Sequence, residues 1–263
     1  SHINSCKITG ALAAAGQLPE ITSDITYAQG YDTAEERTDP ALLAEAVKAA
    51  EEADVAVIFA GLPDAFESEG YDRSHMQMPE CQNELIREIL RVQKNTVVVL
   101  HNGSPVEMPW AGDVNAILES YLCGQAVGAA QVRLLFGLAN PCGKLAETIP
   151  LKLQDNPSYL NFPGDGQTVE YKEGVFVGYR YYDTKEMDVR FPFGHGLSYT
   201  TFQYSDMQLS RGQLSDSDTL TVSLKVKNTG TVAGKEIVQL YVADRTGAAN
   251  RPVKELKNFT KVF

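Results

Sequence analysis

Between Gly61 and Arg73 the chain reads Gly-Leu-Pro-Asp-Ala-Phe-Glu-Ser-Glu-Gly-Tyr-Asp-Arg, which gathers the acids Asp64, Glu67, Glu69 and Asp72 in one short segment. Cleaving an acetal bond between sugars takes one carboxyl group kept protonated near neutral pH and a second carboxylate on the opposite side of the bond. Glu67 or Glu69 has the type and setting for the first of these. Gly70 would let the backbone bend sharply beside the acid, and Arg73 could pair with Asp72 to fix the loop. Spacing alone also fits a solvated acidic loop stiffened by an Asp-Arg pair, because acids are common on surfaces.

Other reactive side chains carry weaker signals. His101-Asn102-Gly103-Ser104-Pro105 either borders the same cleft or is simply a turn built from Asn, Gly and Pro. Trp110, the one tryptophan, could stack on a sugar ring or fill the core. His75 and His195 have no metal-ligand spacing to each other or to cysteine, so they read as structural and no metal is expected. Gly124, Gly128, Gly137 and Gly143 form no phosphate loop, and no nucleotide or other cofactor is expected. Ser68, Ser74 and Ser104 lack the G-x-S-x-G elbow of a nucleophilic serine.

The elements that must position these residues alternate. Asp39-Pro40 is a helix start, and Leu42, Leu43, Ala46, Val47 and Ala50 follow at helical spacing, predicting a helix from about Pro40 to Ala53. The apolar run 55–60 predicts a strand buried on both faces, and it delivers the acidic loop from its carboxyl end. Ligands bind at that end of an open parallel sheet. A second helix is expected over 80–92, strands over 96–100 and 114–118, and a helix over 124–136. The pattern is α/β, a mainly parallel sheet with helices on both faces. Residues 150–199 turn to Pro, Gly, Tyr and Phe without clear period, a long connection packed on the first domain. After Phe202 the period becomes two, with Leu220, Val222, Leu224 and Val226 alternating with polar residues, then Asn228-Thr229-Gly230 as a turn and Ile237 to Val242 as a further strand. This predicts a partial immunoglobulin-like β-sandwich, with three to four strands where about seven are usual. The expected domains are therefore 1–202 and a truncated 203–263. Ser1 to Asn4 open without the strand that usually comes first, so the front is also expected to be cut.

Composition sets the outer bounds. With 263 residues, 43% hydrophobic and 22% charged, the chain can build a substantial core, which excludes wholesale disorder. No run is long and apolar enough to span a bilayer, and the first residues do not have the order of a secretory signal. A formal charge of -11 disfavours nucleic acid and anionic membranes as partners. Cys6, Cys81, Cys123 and Cys142 lie far apart, which suits buried thiols in a reducing compartment such as the cytoplasm.

Five segments, taken in order, resemble glycoside hydrolase family 3. They are Ala-Gly-Leu-Pro-Asp-Ala-Phe-Glu-Ser-Glu-Gly-Tyr-Asp-Arg (60–73), His-Asn-Gly-Ser-Pro-Val-Glu-Met-Pro-Trp (101–110), Asn-Pro-Cys-Gly-Lys-Leu-Ala-Glu-Thr-Ile-Pro (140–150), Glu-Gly-Val-Phe-Val-Gly-Tyr-Arg-Tyr-Tyr-Asp (173–183) and Phe-Pro-Phe-Gly-His-Gly-Leu-Ser-Tyr-Thr (191–200). The resemblance implies the α/β-sandwich domain of a β-glucosidase-like enzyme followed by the start of a fibronectin-type-III-like domain. It implies a retaining exo-glycosidase whose nucleophilic aspartate lies on a preceding barrel domain, here missing, and whose acid/base glutamate lies on this chain. By resemblance the acid/base maps to Glu69, with Glu67 as its rival and Asp72 and Arg73 as supporting residues. The expected partners are a β-glucoside or oligosaccharide and the barrel domain, and the segment alone is expected to be inactive. A β-xylosidase of the same family, or a carbohydrate-binding or structural module without catalysis, fits the same residues.

Overall fold

The computed structural model describes residues 6–70 and 72–263. Tyr71 and the reading of Ser1 to Asn4 lie outside the described residues. After a short helix α1 (Ala11–Ala15), the chain forms α2 (Pro40–Glu52), β1 (Ala56–Gly61), α3 (Glu80–Val92), β2 (Thr96–His101), β3 (Ala116–Glu119) and α4 (Val127–Leu135). A 3-10 turn (Leu153–Asp155) and α5 (Tyr179–Lys185) interrupt the long connection, and four strands follow: β4 (Phe202–Leu209), β5 (Val222–Asn228), β6 (Glu236–Val242) and β7 (Glu255–Val262).

Helix α2 begins where its cap predicts. The Asp39 carboxylate accepts from the amides of Ala41 and Leu42 at 2.8 and 3.3 Å, and Pro40 occupies the first turn. Helix α3 buries Cys81, Gln82, Leu85, Ile86 and Ile89 on one face. Strands β1, β2 and β3 form a parallel sheet in that order, with Gly61 opposite His101 and Leu100 opposite Glu119. That register makes all three strands end at one edge. The core under the sheet contains Ile58, Ile86, Val98, Leu100, Val106, Met108 and Trp110. Gln82, 2% exposed, clamps the end of β1, accepting from the Gly61 amide and donating to the Gly61 carbonyl, both at 2.8 Å. On the other helix pair, Gly128 of α4 packs so tightly on the Thr9–Gly10 backbone that a Cβ there would collide with it.

Several expectations need correction. The central strand β2 is buried on both faces, but β1 is not: Val57 is 40% exposed, because only the face of β1 that carries Ala56, Ile58 and Ala60 meets the core. Strand β3 starts two residues late, since Asn115 spends its side chain and amide on the Thr96 backbone before the ladder begins. It also continues one residue further, to Glu119. Only Cys81 is buried; Cys6 and Cys123 are exposed and Cys142 is partly buried, and all four thiols are free. Helix α5 was not legible in the irregular composition of 150–199.

The C-terminal strands pair as two antiparallel ribbons, β4 with β5 and β6 with β7. They are tied to the α/β part by polar contacts. Lys144 reaches the Gly196 carbonyl at 2.7 Å and Glu236 at 3.4 Å, and Gln239 donates to the Gly194 carbonyl at 3.1 Å.

Candidate active site

The common carboxyl edge of the three strands is where the acidic loop stands. Phe66 and Glu67 both donate their amides to the Pro63 carbonyl, at 2.8 and 3.1 Å, which turns the loop back over the edge. The partly buried Glu67 side chain then spans to the turn that leaves β2. Its Oε2 accepts the Gly103 amide at 2.5 Å and its Oε1 accepts the Ser104 hydroxyl at 2.6 Å. Arg73 closes the far end of the same loop, donating from Nη2 to Ser104 Oγ and to the Pro105 carbonyl, both at 2.8 Å. Thus the segment 101–105 borders the acidic loop and is bonded to it.

Glu69 is exposed, as are Asp64 and Asp72. Gly70 takes φ +100°, a conformation that side-chain-bearing residues rarely adopt, so the bend beside Glu69 does use its glycine. The two glutamates, two residues apart, therefore differ in exposure: Glu69 is exposed, and Glu67 is partly buried with two donors of a neighbouring loop on its oxygens.

The other sequence candidates fall elsewhere. Trp110 is 5% exposed and donates its indole N–H to Asn83 at 3.0 Å, so it belongs to the core. His195 stacks on Phe191 at 5.2 Å and its backbone joins a turn, a structural role. His75 is exposed and meets Phe66 edge-on at 6.0 Å. Among the described residues, no group of three or more His, Cys, Asp and Glu has the geometry to hold a metal ion.

Two carboxylates near Glu67 were missed. Glu119, the last residue of β3, accepts the Tyr121 amide at 2.8 Å and lies 3.4 Å from Asn102 Nδ2. Burial pushes its carboxyl up to about 7; the Tyr121 amide and Asn102 pull the other way, and the charges of Glu147 and Glu67 push up further. Glu147 is raised as well, by burial and by Glu67, with the Tyr121 hydroxyl opposing. A carboxylate at the carboxyl end of a parallel strand was the available signal for Glu119. Glu147 stood inside the 140–150 motif without being singled out. His101 contacts Gln131 at 2.6 Å, and burial lowers its affinity for a proton. The edge is therefore rich in carboxyl groups of unequal environment, an arrangement suited to acid/base work.

Comparison with known proteins shows what the chain is similar to. The glycosyl hydrolase family 3 C-terminal domain matches residues 6–199, and a fibronectin type III-like domain matches residues 236–263. The chain is 60% identical over 240 residues to the thermostable beta-glucosidase B of Acetivibrio thermocellus, a match covering 91% of this chain and 32% of that protein. It is 46% identical over 264 residues to the exo-alpha-(1->6)-L-arabinopyranosidase of Bifidobacterium breve, covering 100% of this chain and 34% of that protein. The crystal structure of the GH3 beta-glucosidase of Bifidobacterium adolescentis superimposes with a TM-score of 0.93 at 46% identity, covering 100% of this chain and 38% of that one. The chain thus spans about a third of the length of the curated relatives it matches.

Proposed function

The chain belongs to glycoside hydrolase family 3, and on that premise we propose that it supplies the acid/base glutamate, Glu69, to a retaining exo-β-glucosidase. The observation that carries this choice is the contrast at the loop. Glu67 is partly buried, with both oxygens accepting from the neighbouring turn, whereas Glu69 is exposed beside the bend at Gly70. An acid/base group must give a proton to the leaving oxygen and later take one from water, so it has to face the substrate. On this reading Glu67 and Arg73 support the loop and Asp72 flanks it.

The nucleophile comes from a facing barrel domain, whose carboxylate must lie roughly 5–5.5 Å from the acid/base for a retaining displacement. The proposed domains are the α/β-sandwich up to about residue 202 and a fibronectin-like part from 203. Hydrolysis of p-nitrophenyl β-D-glucoside by this chain alone, and by the chain mixed with the barrel domain, tests the split site. Activity in the mixture alone supports it; activity in the chain alone overturns it.

A second reading changes only the sugar. The arabinopyranosidase relative matches this chain over its whole length, which favours assaying p-nitrophenyl α-L-arabinopyranoside beside the glucoside. The barrel domain would line most of the sugar pocket and set the glycone there, with the role of Glu69 the same for either sugar.

A further inference from the structure

The turn that holds Glu67 is itself held by a buried side chain. Asn102, the residue after β2, is 1% exposed and donates from Nδ2 to the Ser104 carbonyl at 3.0 Å. Its Nδ2 also lies 3.4 Å from Glu119 Oε2 at the end of β3, a longer contact. The same turn offers the Gly103 amide and the Ser104 hydroxyl to Glu67. A line of bonds therefore runs from Asn102 through Ser104 to Glu67, and Glu69 stands two residues further along the chain. We propose that Asn102 is a positioning residue for the acid/base, fixing the Gly103–Ser104 turn so that the 61–70 loop presents its acid in one place. That this acid is Glu69 rests on the reading given above.

Stability alone does not account for this side chain. The Asn102 Oδ1 is buried and has no hydrogen-bond partner among the described residues. A buried acceptor left unpaired costs free energy that an apolar side chain of similar size would not. Turning the amide over brings no relief, because the oxygen would then face the Ser104 carbonyl. What asparagine supplies, and an apolar residue would not, is the donor that ties the turn down. The strand ends have clamps of their own. Gln82 closes the end of β1 on Gly61. Gln131, 4% exposed on α4, places its Nε2 2.6 Å from the His101 ring and donates to the Ser120 hydroxyl oxygen at 2.8 Å. The Asn102 donor acts on the turn beyond these clamps, the part of the edge that meets the acidic loop.

Leaving-group dependence tests this in the full-length enzyme, because a general acid matters most when the departing oxygen is a poor leaving group. Asn102→Val removes the donor and the unpaired acceptor at similar side-chain size. In this variant kcat/KM for methyl β-D-glucoside should fall about tenfold, and that for dinitrophenyl β-D-glucoside should change by less than about twofold. Amide hydrogen exchange in peptides spanning 61–70 and 101–105 should quicken, with α3 unchanged. An equal loss on both substrates overturns the proposal, since it would report a general loss of folded enzyme. So does an unchanged rate on the methyl glucoside, or unchanged exchange at 101–105. Asn102→Ala, smaller and equally without a donor, gives the same readings if valine does not fit. Glu69→Gln is measured beside them. If it shows no such selectivity for the leaving group while Asn102→Val does, the reading of Glu69 is wrong and the acid that Asn102 positions is Glu67.

Discussion

The Gly103 amide and the Glu67 carboxylate meet at 2.5 Å, across a separation of 36 residues in sequence. Through this bond the loops leaving β1 and β2 behave as one unit. The Ser104 hydroxyl on the second oxygen and Arg73 on Ser104 complete it. A carboxylate that takes charge-assisted bonds on both oxygens is a rigid anchor. Glu69, two residues on, gains a defined starting point from it.

Ser104→Ala should therefore weaken the unit without touching the reacting groups. It removes the donor to Glu67 Oε1 and an acceptor of Arg73. We expect a loss of about 1 kcal/mol in stability, as for one partly exposed hydrogen bond. In the assembled enzyme, kcat should fall roughly tenfold with KM little changed, because misplacing a catalytic group by a fraction of an ångström is costly. Urea unfolding and steady-state kinetics check the two figures.

Stability should also record Glu119. Its carboxyl is raised in the folded chain from 4.5 to about 7, so the folded state binds the proton more tightly than the unfolded one. That stability is full below pH 4.5 and is lost as pH rises toward 7 and above. Glu119→Gln should be free of this loss and exceed the unaltered protein by about 1–3 kcal/mol at pH 8, with the advantage disappearing at pH 4.5. Denaturant titrations at the two pH values measure the crossover.

Gly61 ends β1 directly against β2, where an added Cβ would run into the His101 carbonyl oxygen and carbon. Backbone cannot move aside as a side-chain tip can. Gly61→Ala should cost about 3 kcal/mol and displace the start of the acidic loop, which calorimetry and a loss of assembled activity would both register.

The two parts of the chain are joined by a shielded ion pair. Lys144 and Glu236 lie 3.4 Å apart with side chains 16% and 12% exposed, and the Tyr204 hydroxyl donates to the same Glu236 oxygen at 2.9 Å. Lys144→Met leaves Glu236 with the tyrosine but without its cation. A destabilisation of about 2–3 kcal/mol is expected, and Lys144→Met with Glu236→Gln together should cost less than Lys144→Met alone. A double-mutant cycle by urea unfolding decides it.

Much of this architecture was legible because local and global signals agreed. Asp39-Pro40 announced α2, and the unbroken run from Thr96 to Leu100 announced strand β2. The acidic loop was legible by position, since it leaves a strand that the sheet presents at its ligand-binding edge. What sequence could not supply was the company each acid keeps. Glu67 and Glu69 look alike by type and spacing, and only the resemblance favoured Glu69; nothing in the string says that Gly103 and Ser104 arrive from another loop to hold Glu67. Glu119 ends a four-residue strand and looks like any charge at an element boundary; its importance depends on burial and on Glu147 and Glu67 arriving from distant segments. Helix α1, five residues long, exists because Ala14 and Ala15 pack on Val132, a cause that no local pattern carries. The aromatic segment 150–199 likewise concealed α5, whose Tyr179 hydroxyl donates to no periodic neighbour but accepts the Leu256 amide at 2.7 Å from β7.

The most direct test of the central claim is hydrolysis of an activated aryl β-glucoside by Glu69→Gln and Glu67→Gln in the assembled enzyme, with and without azide. The account predicts that Glu69→Gln lowers turnover by about 10²–10⁴-fold and that azide, which needs no general base, restores it with glucosyl azide as product. Glu67→Gln should lose less and show no rescue. Normal turnover in Glu69→Gln, or azide rescue of Glu67→Gln instead, would contradict the assignment and make the docked glutamate the acid/base.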